Sequence, residues 1–249
     1  MIREETVREF KKRGPSKRVG ALVLFAILFL CMTVALIKKR SPGAAPETVT
    51  DRLTKEIQAH PDNAAAYFAR GVEHAVKDEY AQALADYSNA IALDPSFTEA
   101  YLNRGVQYAR NGELDKALAD CDKAVELAPR DATTYNERGR VYSLKEESEQ
   151  AFADYNKAIA LDPVFADAYT NRGDLYADQR NLDKALADYD RALELDPHDA
   201  GAYNGRLIIY FLKTDYDKAW EDVRRADTLE IKVSPLFLEE LKEATGKER

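Results

Sequence analysis

Cysteine is nearly missing from this chain. Cys31 lies in an apolar run and Cys121 lies far downstream, so no disulfide framework holds the fold. Only three histidines are present. His60, His74 and His198 are scattered and share no metal-ligand spacing. Glycines occur singly, which excludes a phosphate-cradling loop. No His-Glu-x-x-His, Cys-x-x-Cys or Gly-x-Ser-x-Gly pattern appears. These absences speak against an enzyme, and neither a cofactor nor a metal is expected. Positive charge is scarce over most of the length. Residues 47–249 hold 26 Lys/Arg against 41 Asp/Glu, a net −15 that repels a phosphate backbone and argues against nucleic acid as a partner.

Positive charge concentrates instead at the start. Residues 1–46 hold ten Lys/Arg against three Glu, which suits an anionic membrane surface. Within them, 19–37 is nineteen residues without a charge. As a helix this run spans about 28 Å, close to the ~30 Å hydrocarbon core. Lys17, Arg18, Lys38, Lys39 and Arg40 flank it and can snorkel. The expectation is a basic tail over 1–18, a transmembrane helix over 19–37 and a linker over 38–49. A cleaved signal peptide is the competing reading, with Thr33-Val34-Ala35 and Gly43-Ala44-Ala45 as small-residue sites. Seven basic residues precede the run and three follow it. That predicts a cytoplasmic N-terminus and a large extracytoplasmic domain, periplasmic in a Gram-negative cell.

Beyond the linker the sequence repeats every 34 residues, over 64–97, 98–131, 132–165, 166–199 and 200–233. Position 4 is Tyr67, Tyr101, Tyr135, Tyr169 and Tyr203. Position 8 is Gly71, Gly105, Gly139, Gly173, then Leu207. Positions 20 and 27 are always Ala. Position 32 is Pro95, Pro129, Pro163, Pro197, then Ile231. Each unit reads as two helices, such as 98–111 and 114–127, separated by Gly112. The small residues allow close helix approach, and Pro biases the residue before it away from helix. One unit cannot bury its apolar face alone, so the units must stack. Residues 50–63 and 234–249 read as the N-terminal and C-terminal caps. Position 7 is always Arg (Arg70, Arg104, Arg138, Arg172, Arg206) and position 23 always Asp (Asp86, Asp120, Asp154, Asp188, Asp222). Five matched pairs predict a structural Arg–Asp ladder.

The period with its aromatic, small and proline positions resembles the tetratricopeptide repeat (TPR) family, in its bacterial type, over 64–233. The resemblance implies an all-α, right-handed solenoid of five helix-turn-helix repeats plus a capping helix, preceded here by the membrane span. It also implies a concave groove lined by the first helix of each repeat. The groove positions in this sequence give Phe68, Val72, Leu102, Asn103, Val106, Arg110, Asn136, Arg140, Asn171, Asp174, Asp178 and Asn204 as candidates. They run from apolar, through polar with one Arg, to acidic, which predicts a partner segment with apolar anchors and a basic residue near Asp174 and Asp178. A family variant that grips chaperone C-termini uses five groups. Only Asn103 and Arg140 match it, and Phe68, Val72 and Asn136 depart. The reading is a membrane-tethered adaptor for a protein partner, in envelope biogenesis, secretion or complex assembly. The alternatives are a self-associating homo-oligomeric platform and a cytosol-facing import or chaperone co-receptor.

Overall fold

The computed structural model describes residues 47–246. The expected span over 19–37, the basic tail and most of the linker lie outside the described residues. Among the described residues there are twelve helices and no strand, and no helix is long and apolar enough to cross a membrane.

They are α1 (Val49–Ala59), α2 (Ala64–Val76), α3 (Tyr80–Leu93), α4 (Thr98–Arg110), α5 (Leu114–Leu127), α6 (Ala132–Leu144), α7 (Ser148–Leu161), α8 (Ala166–Asp178), α9 (Leu182–Leu195), α10 (Ala200–Leu212), α11 (Tyr216–Thr228) and α12 (Pro235–Thr245). They fall into two compact units, 47–129 and 130–246. Helices α2 to α11 form five antiparallel pairs, with α1 before and α12 after them. Within the cap region expected over 50–63, the helix ends at Ala59; Pro61 follows and His60 already has an extended φ of −134°.

Each pair closes in the same way. The residue at position 16 donates its N–H to the carbonyl at position 11, as in Glu79 to His74 and Glu147 to Tyr142, both at 2.9 Å. This Schellman closure requires a left-handed residue at position 15. Gly112 supplies it in the second pair with φ 80°. The other pairs put Asp78, Glu146, Arg180 and Thr214 there, with φ between 58° and 62°. The second helices α3, α7 and α9 stop at Asp-Pro. There Asp94, Asp162 and Asp196 accept from the N–H two residues on, at 2.9, 3.1 and 2.9 Å. Helix α11 lacks that proline and instead closes through Glu230 at φ 55°.

In the first, third and fourth pairs Gly at position 8 meets the Tyr at position 24, whereas in the second Gly105 meets Cys121. A Cβ on Gly71, Gly139 or Gly173 would lie 2.8, 2.7 or 2.9 Å from a ring carbon of Tyr87, Tyr155 or Tyr189. These three tyrosines are among the largest fully buried side chains. In the last pair both partners change together. Leu207 replaces the glycine, Val223 replaces the tyrosine, and both lie in one buried cluster with Ala219, Trp220, Phe237 and Leu241. A large–small pair has become two medium side chains.

The Arg–Asp ladder is present in all five pairs. Each guanidinium donates from Nε and Nη2 to the two carboxylate oxygens of its Asp at 2.6–2.8 Å. These are fork-to-fork bonds, the strongest geometry for such a pair. Each Arg also sits 5.6–5.8 Å from the position-4 tyrosine ring. A third donor, Nη1, reaches back to the helix before. Arg70 bonds Thr54 of α1 at 3.2 Å, Arg104 bonds Ser88 at 3.1 Å, Arg172 bonds Asn156 at 2.6 Å and Arg206 bonds Asp190 at 2.6 Å. The side chains are 14–21% exposed for Arg and 4–9% for Asp, so the ladder is largely buried.

Candidate functional site

The first helices of successive pairs touch one another within each unit: α2 meets α4, and α8 meets both α6 and α10. Their shared face is where the groove candidates were expected, and the structure divides them sharply. In unit 47–129, Val72 and Leu102 are buried at 6% and 7% exposure, so they are packing residues and not groove walls. Phe68 is half-buried, its ring 4.8 Å from Phe97 and 5.8 Å from Tyr87. Val106 is also half-buried. Asn103 donates to the carbonyl of Glu99 in its own helix at 2.8 Å. Arg110 is exposed and pairs with Asp78 at 2.9 Å. The strongly exposed apolar side chain on this face is Val76, at 64%.

Unit 130–246 brings its candidates together. Asn136, at 1% exposure, is also packed rather than open to a ligand. It accepts from Asn171 Nδ2 at 2.9 Å across α6 and α8, and its own Nδ2 lies 3.4 Å from Glu137. Arg140 donates to Glu137 at 2.7 Å, with one-fifth of its side chain exposed. The Glu137 carboxylate raises the Arg140 pKa above its ordinary value, against burial that lowers it, with further help from Tyr155 and Asp167. Burial pushes the Tyr155 phenol up, and the Arg140 charge pulls it back. Asp174 accepts from Tyr189 Oη at 2.7 Å. Burial, then the Asp174 charge, hold the Tyr189 phenol well above its usual value. Asp178 is exposed at the end of α8, and Leu144 at the end of α6 is 52% exposed. Asn204 donates to Ala200 of its own helix at 2.8 Å.

Three participants were not among the sequence candidates. Glu137 is the anchor of Arg140. Tyr189 holds Asp174. Asp199 accepts from Thr170 at 2.6 Å while capping α10 through the Gly201 and Ala202 N–H groups. A signal for the tyrosine was present, because Tyr recurs at position 24 in Tyr87, Tyr155 and Tyr189. Nothing in the sequence marks Glu137. Among the described residues no group of His, Cys, Asp and Glu could hold a metal ion. The arrangement is a fixed hydrogen-bonded surface, polar at its floor and acidic on α8.

The fold and this face define a helical repeat protein. More particularly, parts of the chain match tetratricopeptide repeats. One family model, the tetratricopeptide repeat, matches 98–131 and 166–199; a second, the TPR repeat, matches 77–112 and 140–179. Among solved structures, the chain is similar to YrrB, described as a TPR protein with an unusual peptide-binding site. The identity is 25%, over 78% of this chain and 99% of that one, with a TM-score of 0.53. It is similar to MamA at 28% identity, over 64% of this chain and 94% of that one, with a TM-score of 0.53. A tetratricopeptide repeat protein from Parabacteroides merdae shares the fold at 21% identity, over 79% of each chain, with a TM-score of 0.63. No curated protein matches.

Proposed function

We propose that this chain is a membrane-tethered scaffold that holds a segment of a protein partner on the first-helix face of its repeats. The observation that carries the reading is the half-buried pair Asn171 and Arg140, held from beneath by buried Asn136 and Glu137, and flanked by exposed Leu144 and by Asp174 and Asp178. A built surface of that kind orients a chain. Leu144 offers an apolar contact, and the carboxylates of α8 favour a basic residue in the partner. The similarity to YrrB supports a peptide as the ligand class. The charge-free run over 19–37 supports the tether, and the basic excess before it supports an extracytoplasmic repeat domain. Tethering raises the effective concentration of a partner, so weak binding suffices.

The test is crosslinking of the tagged full-length protein in its own cells, followed by capture and mass spectrometry. The comparison variant carries Asp174→Lys and Asp178→Lys, with circular dichroism to establish that it folds. Recovery of one protein with the wild type and its loss with the folded variant is the expected result. Recovery of the same proteins from both would remove this face as the binding surface, and recovery of the chain alone would favour the self-associating platform. Release of the wild type from membranes by alkaline carbonate would overturn the tether.

A further inference from the structure

We draw no further inference here: the strongest candidate, the carboxylate cluster of Asp167, Asp174 and Asp178 on the exposed face of α8, belongs to the site already described, and no second feature of the structure shows what ligand it would hold.

Discussion

The left-handed residue at position 15 shows how a single side chain sets local stability. Any residue but glycine costs about 1–2 kcal/mol in that conformation, and a β-branched one is worst placed. Thr214, at φ 58°, is therefore the poorest choice among the five turns. Glycine loses more chain entropy on folding, which offsets part of the gain. Thr214→Gly is expected to stabilise by about 0.5–1 kcal/mol, and Gly112→Ala to destabilise by about 1 kcal/mol, both read from urea unfolding. The buried tyrosines offer a second residue-level contrast. Tyr189 Oη donates to Asp174, whereas Tyr87 Oη, equally buried, has no partner among the described residues. The difference lies at position 9, which is Asp174 in one repeat and Val72 in the other. Tyr189→Phe is expected to cost about 1.5–3 kcal/mol, the worth of a hydrogen bond to a charged group. Tyr87→Phe removes an unsatisfied hydroxyl and is expected to be neutral or stabilising. Equal losses in thermal melts of the two variants would contradict this account.

At the scale of helices, the sequence showed which elements exist and hid part of what joins them. The sixteen-residue offset between Arg and Asp was visible because both recur in all five units. The third bond, from Arg back to the preceding helix, was not visible, because position 25 varies: Thr54, Ser88, Asn156 and Asp190 share only the ability to accept. Breaking a buried pair leaves an uncompensated charge. Asp120→Ala is thus expected to cost about 3–5 kcal/mol. Arg110→Ala, which removes a pair whose side chains are 44% and 80% exposed, should cost under about 1 kcal/mol. The Gly–Tyr exchange at positions 8 and 24 was half legible. Glycine recurrence announced a close approach, but only the structure shows that a tyrosine ring fills it. The Leu207 and Val223 swap follows the same rule, so the two should couple. Leu207→Gly leaves a void costing about 2–5 kcal/mol, and Val223→Tyr overpacks by about 1–3 kcal/mol. The double variant should recover part of the sum in a double-mutant cycle.

For the whole described chain, two of the four apolar groove candidates, Val72 and Leu102, are buried while Phe68 and Val106 are half-buried. Helical-wheel positions say which face a residue occupies, but not how far the partner helix of its own pair covers it, as Ala83 and Tyr87 cover Val72. Val72 and Leu102 lie on the right helices yet are buried, while Asn171 and Arg140 become part of a site only through Asn136 and Glu137, which are neighbours in space. Repeat arrays also need special ends, since each helix pair leaves an apolar face for the next. In unit 130–246 that face is Leu207, Ala219, Trp220 and Val223, and α12 covers it with Phe237 and Leu241, both at 3% exposure or less. Trp220 Nε1 also donates to Thr245 at the end of α12, at 3.2 Å. Burying two such side chains is worth about 1.5–3 kcal/mol each. Truncation after Val233 should therefore loosen the array from its end. Amide exchange is expected to accelerate in α10 and α11, with a smaller change in α6 and α7, because each repeat leans mainly on its neighbours. Uniform loss of protection across α6 to α11 would mean that the unit opens as one cooperative block. Unchanged protection in α10 and α11 would mean that α12 contributes nothing as a cap, and that Phe237 and Leu241 are buried at no benefit to the repeats beneath them.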